Sequence, residues 1–164
     1  TSRHHQAGLP YRGRPAWRFG GWRAARPTLQ KSSDNGPMLN VLAICIGACV
    51  GALARWRLGL WLSPGGLIPW GTVAANLVGG YLIGVCVAVF HAMPQLDPVW
   101  RLALVTGFLG ALTTFSSFSA EVVEMLMVQR YALALGTTAL HLVGSLGLTV
   151  LGMQSASYFI ASRA

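Results

Sequence analysis

Gly107-Phe108-Leu109-Gly110-Ala111-Leu112-Thr113-Thr114-Phe115-Ser116-Ser117-Phe118-Ser119 lies inside an otherwise apolar run from about Val99 to Val128. Two glycines, then five hydroxyl residues interleaved with Phe115 and Phe118, make a poor lipid-facing helix and a good place to break one. A break at mid-membrane frees backbone carbonyls, which is tolerated only where that backbone is buried in protein or lines a cavity. Freed carbonyls can coordinate a cation, as in channel filters. Phe115 and Phe118 are three apart and share a face. Their ring edges carry the positive part of the aromatic quadrupole, suited to a small, hard anion in a dry constriction. Core packing is the other reading of the pair.

Outward from this stretch the apolar runs recur at the length a bilayer demands, about 20 residues. The four candidate spans are about 39–62, 70–93, 99–128 and 131–160. Their connections are short: Ser63-Pro64-Gly65-Gly66, then Pro94 to Pro98, then Gln129-Arg130. Consecutive helices therefore run antiparallel, up-down-up-down. The expected fold is an all-α membrane protein of four transmembrane helices with a broken third helix.

Composition agrees with that reading. Of 164 residues, 54% are hydrophobic and 10% charged, against about 25% charged in an ordinary soluble domain. That excludes a disordered chain, which needs low hydrophobicity, and argues against a water-soluble enzyme of this length. The formal net charge of +8 invites a nucleic-acid reading, but the excess is localised. Arg3, Arg12, Arg14, Arg18, Arg23, Arg26 and Lys31 precede Met38 against a single Asp34. No basic stripe runs along a folded face, so no nucleic-acid partner is expected.

Residues 1–37 form an Arg-, Gly-, Pro- and Trp-containing arm without apolar periodicity or a signal-peptide core. Three readings compete: a stretch upstream of an initiator at Met38, a disordered basic tail on anionic lipid, or a non-native extension. Residues 38–164 are expected to be the transmembrane domain.

Without the arm, one side of the bundle holds Arg101 and Arg163 and the other Arg55, Arg57 and Arg130. So even a count sets no orientation under the positive-inside rule, and is compatible with an antiparallel homodimer inserted both ways. Glycines four apart, Gly47 with Gly51 and Gly80 with Gly84, are read as close helix contacts in lipid. Cys45, Cys49 and Cys86 have no neighbours at metal-ligand spacing and read as packing residues. Glu121 and Glu124 read as a solvated helix end, with proton coupling the minority reading.

Polar groups inside spans need a reason. Arg55 follows the small-residue run from Gly47 to Ala54; it either snorkels to the interface or draws anions into a vestibule. Arg57 reads as an anchor. Asn76 offers an uncharged NH₂ donor to an anion, or an interhelical hydrogen bond. Thr138, His141 and Ser145, at i, i+3 and i+7, make one polar stripe that either passes an anion or packs against the third helix.

The stretches Gly47 to Arg55, Gly71 to Gly80 and Gly107 to Ser119 resemble the signatures of the CrcB/Fluc fluoride channels, in the same order and on the same helices. The resemblance spans Met38 to the C-terminus, and the arm has no counterpart in it. It implies an antiparallel, dual-topology homodimer in the cell (inner or plasma) membrane, multi-pass, with fluoride as the permeant ion and lipid as surroundings. It further implies a structural Na⁺ at the dimer interface, held by backbone carbonyls that carry over to Gly110 and Thr113. The pore aromatics fall on Phe115 and Phe118, the pore amide on Asn76 and the vestibule arginine on Arg55. The fourth-helix positions Ser145 and Thr138 match more loosely, and Ser117 stands where Thr is frequent.

The implied function is passive export of fluoride, without an enzyme activity. Neutral hydrofluoric acid crosses membranes and dissociates in a less acidic cytoplasm, and a selective pore lets the membrane potential expel the anion. The alternative is a proton-coupled small four-helix exporter using Glu121 or Glu124. An intramembrane hydrolase on Ser145 and His141 lacks a Gly-x-Ser-x-Gly elbow and a third triad member.

Overall fold

A computed structural model describes residues 36–63 and 65–162. Apart from Gly36 and Pro37, the basic arm lies outside the described residues. Among these residues helix is the only regular secondary structure, with four helices long and apolar enough to cross a membrane: Pro37–Leu62, Trp70–Ala92, Pro98–Met127 and Tyr131–Ala161. These bounds differ from the expected spans by at most two residues.

The ends follow local chemistry. Pro37 and Pro98 stand at the first helical position, where a missing N–H removes no helical bond. Asp97 caps the third span by accepting from Val99 N–H at 2.9 Å. Ser63 Oγ accepts from Gly71 N–H at 2.9 Å, tying the first connection to the start of the second span. The third span stops because Gln129 adopts φ 60°, while Gln129 N–H and Arg130 N–H return to Leu126 O at 3.0 Å and Met125 O at 2.9 Å. That is the Schellman arrangement, and it reverses the chain within two residues.

The principal partners are not sequence neighbours. The first span packs on the third and the second on the fourth. Glycine makes both crossings possible: a Cβ on Gly51 would lie 2.2 Å from Phe108 O, and one on Gly84 2.1 Å from Thr149 O. Backbone meets backbone at both places, as small residues permit in lipid. The first span buries only Ala43 and Gly51 and turns Leu42, Ile46, Val50 and Leu53 outward, an arrangement stable only in an apolar solvent. The second span touches all the others and organises the polar interior.

Candidate functional site

The third span is α-helical only in part. Its turns over Leu102–Leu109 are of the wider π type, one α-turn follows at Gly110–Leu112, and helix resumes at Phe115–Met127. Between them Thr113 (φ −80°, ψ 153°) and Thr114 (φ −150°, ψ 116°) are extended. Thr113 N–H still reaches Leu109 O at 3.0 Å, but the extended Thr114 takes its own N–H and C=O out of the helical ladder, and each unsatisfied group in hydrocarbon costs several kcal/mol. The Asn76 side chain supplies the partners. Thr114 N–H donates to Asn76 Oδ1 at 2.7 Å, and Asn76 Nδ2 donates to Thr114 O at 3.0 Å. One primary amide thus pairs with a backbone residue as a neighbouring strand would.

This pairing changes what two carbonyls have to bind. In a continuous helix Gly110 O accepts from Thr114 N–H, and Thr113 O from Ser117 N–H. Here the first donor is on Asn76, and the second goes to Thr114 Oγ1 at 3.1 Å, where Thr114 acts as N-cap. Gly110 and Thr113 therefore lose their regular donors.

The second hydrogen of Asn76 Nδ2 reaches His141 Nδ1 at 3.0 Å. An amide nitrogen only donates, so Nδ1 accepts and the network assigns the ring proton to Nε2. His141 is 5% exposed, and Nε2 is buried without a partner. The ring lies against Phe118 at a centroid distance of 4.6 Å, and Phe118 meets Phe115 edge to face at 5.5 Å and 60°. Phe115 itself is 77% exposed. Asn76, read from sequence as an anion donor or an interhelical hydrogen bond, has both hydrogens engaged between helices; the unpartnered donor is on His141.

A cavity of about 440 Å³ gathers Asn76, Gly110, Thr113, Phe115, Phe118 and Ser145 with His141. Six of the expected site residues therefore share one space. Thr138 is outside it, with Oγ1 donating back to Ala134 O at 2.8 Å. The wider turns over Leu140–Gly144 favour a four-residue step, so the polar stripe runs Thr137, His141, Ser145, Thr149. Thr137 is 4% exposed. Thr149 lines the cavity with Oγ1 directed at Gly80 O and Ser145 O, 2.9 and 2.8 Å away. The four-residue spacing was visible in sequence; which of two adjacent threonines belonged to it was not. Ser145 Oγ donates to Asn76 O at 3.5 Å, so Ser145 and His141 both address Asn76 and form no nucleophile–base pair.

Arg55 lines a separate cavity of about 420 Å³ with Thr72 and Ser117, and Thr114 belongs to both cavities. Thr72 Oγ1 donates to Glu121 Oε1 at 2.5 Å, and Glu121 Oε2 is buried without a partner. Glu121 is thus a half-buried neighbour of the Arg55 cavity and not the solvated helix end expected of it; it follows Ser117, which lines that cavity, by four residues, the spacing that sets two helical side chains on one face. Glu124 is exposed. A larger cavity of about 720 Å³ has Arg57 and Trp61 among mainly aliphatic walls and holds none of the expected residues.

The family profile described as "CrcB-like protein, Camphor Resistance (CrcB)" matches residues 42–153, a range that includes every residue from Arg55 to Thr149 placed above. A protein of Albidiferax ferrireducens named "Fluoride-specific ion channel FluC" is 73% identical over 124 residues, covering 76% of this chain and 95% of its own length. Proteins of the same name from Paracidovorax citrulli and Variovorax paradoxus are 64% and 69% identical, covering 76% and 72% of this chain and 98% and 94% of theirs. With matches of that extent, the chain belongs to the CrcB family.

Proposed function

We propose that this protein is a fluoride-selective channel of the cell (inner or plasma) membrane, exporting the anion passively. The observation that carries the reading is the cluster Phe115, Phe118 and His141, with the buried Nε2–H of His141, in a chain closely similar to proteins named as fluoride-specific channels. Edge-on aromatic hydrogens and one neutral N–H replace part of the hydration of a small anion without trapping it as a fixed charge would. The membrane potential supplies the drive, about 2.3 kcal/mol per elementary charge per 100 mV, or about fiftyfold in concentration.

The working unit in this proposal is an antiparallel, dual-topology homodimer. Support comes from the balanced basic residues of the two sides and from the 77% exposure of Phe115, which a second copy would cover. The interruption of the third helix serves as the crossing point. Gly110 O and Thr113 O, relieved of their helical donors, would give four oxygens from two subunits, a set suited to Na⁺ and poorly suited to a thiophilic metal. An ion held by those carbonyls would supply positive charge to offset their dipoles at the crossing, apart from the anion path.

Fluoride efflux from liposomes containing the purified protein, followed by electrode under a K⁺ diffusion potential, tests the reading. Efflux of fluoride but not chloride is expected, persisting at equal pH on both sides. Absence of fluoride efflux overturns it. The second reading, a proton-coupled exporter, is favoured by the unpartnered Glu121 Oε2; efflux that requires a proton gradient selects it.

A further inference from the structure

We propose that the anion path continues to a second cationic mouth at Arg101, on the membrane side opposite Arg55. The inference rests on the channel reading above and extends it to the far end of the molecule.

One face of the second span carries the argument. Thr72, Asn76, Gly80, Ile83, Val87 and His91 follow steps of four, four, three, four and four residues, which is a single helical stripe. Thr72 lines the Arg55 cavity, and Asn76, Gly80 and Ile83 line the central one. Ile83, Val87 and His91 then line a third cavity of about 290 Å³, completed by Phe90, Arg101 and Val105. Neighbouring cavities share walls: Thr114 between the first two, Ile83 and Val105 between the second and third. From Thr72 to His91 the helix rises about 28 Å at 1.5 Å per residue, close to the roughly 30 Å hydrocarbon thickness of a bilayer. The stripe therefore lines spaces from one interface to the other.

Arg101 closes the opening turn of the third span, and no hydrogen bond or ion pair holds its side chain among the described residues. Two other ionisable groups lie near. Asp97, one turn earlier, is engaged by Val99 N–H, and His91 is tethered through Nδ1–H to Val87 O at 3.0 Å. Simple lipid anchoring would not require an arginine to wall a cavity contiguous with the aromatic cluster. A cation placed in such a space concentrates small anions at its mouth, an effect that weakens as salt screens it.

The test is the fluoride conductance of single reconstituted channels, a readout independent of how many molecules insert in each orientation. Arg101→Gln is expected to lower conductance about three- to tenfold at low ionic strength, with the deficit shrinking near 1 M salt, where the Debye length is about 3 Å. Arg101→Lys should retain most of it, and Arg130→Gln, at a side chain lining none of the three cavities, should change little. Val87→Trp, which fills the third cavity, should lower conductance at every ionic strength. A parent that conducts fluoride while Arg101→Gln matches it at low salt, or is reduced equally at all salt concentrations, overturns the mouth alone. A parent that conducts no fluoride overturns the channel reading and this inference with it.

Discussion

Asn76 and Thr114 are joined in both directions, Thr114 N–H to Asn76 Oδ1 at 2.7 Å and Asn76 Nδ2 to Thr114 O at 3.0 Å. A single side chain on the second span thus satisfies the backbone of the third where the helix cannot. Function and stability converge on the same amide, because its remaining hydrogen fixes the tautomer of His141.

Asn76→Asp keeps the acceptor for Thr114 N–H but sets a carboxylate oxygen against Thr114 O and His141 Nδ1. At about 4 Å, like charges repel by about 4 kcal/mol at an effective dielectric of 20, so an ionised Asp also excludes fluoride from the cavity. Loss of efflux by two orders of magnitude or more is expected, with lowered thermal stability of the purified protein. Asn76→Ala leaves two backbone groups unpaired, each costing about 1–3 kcal/mol; a variant melting with the parent would remove the amide from its structural role.

Phe115→Ile and Phe118→Ile preserve apolar bulk and remove the ring edges. Aromatic edge contacts are worth about 1 kcal/mol, about fivefold in rate, and the paired loss should exceed either single one. The purified protein should keep its oligomeric state. Undiminished efflux in both single variants would return the pair to core packing.

His141→Phe retains the stack on Phe118 and removes both the Nε2 donor and the acceptor for Asn76. About 1 kcal/mol per hydrogen bond translates to roughly fivefold slower efflux, with assembly intact because Asn76 still holds Thr114. His141→Gln, which restores a donor, should recover part of the rate. Equal rates for parent and His141→Phe would make the ring a packing group.

A Cβ on Gly79 would lie 2.1 Å from Thr113 Cγ2, so Gly79→Ala is expected to destabilise by about 1–3 kcal/mol as an overpacked site. Thr113→Ser deletes that methyl while keeping a hydroxyl able to reach Leu109 O as Thr113 Oγ1 does at 2.9 Å. Melting of the double variant should return close to that of Thr113→Ser alone. Additive losses in the two singles and the double would show that this contact is not the cause.

Within one chain a Cβ on Gly110 has only Val105 O nearby, at 3.6 Å. Gly110→Leu therefore has room in a monomer, and its effect reports on a second copy. Cross-linking in membranes should detect a dimer in the parent and mostly monomer in the variant. A variant that dimerises fully places the crossing elsewhere.

The four spans were legible in the sequence because the bilayer imposes one length on every helix that crosses it, and apolar runs of that length are hard to mistake. The hydroxyl-rich stretch Thr113 to Ser119 was equally legible, since such residues in hydrocarbon demand partners, and Phe115 and Phe118 stood out within it, whereas Gly110 and Thr113 were singled out by the resemblance to the CrcB channels. Only the tertiary structure decided who those partners are. Asn76 was visible as a polar donor, for an anion or for another helix, but not its partner; its pairing with Thr114 spans a sequence separation of 38 and depends on the glycine crossings that bring spans together. The same holds for Thr72 with Glu121, and for the choice of Thr137 over Thr138, which turns on wider helical turns at Leu140–Gly144 that no local propensity announces. Length and polarity act residue by residue and can be read in order, whereas a hydrogen bond between distant spans exists only once packing has set their rotation and depth.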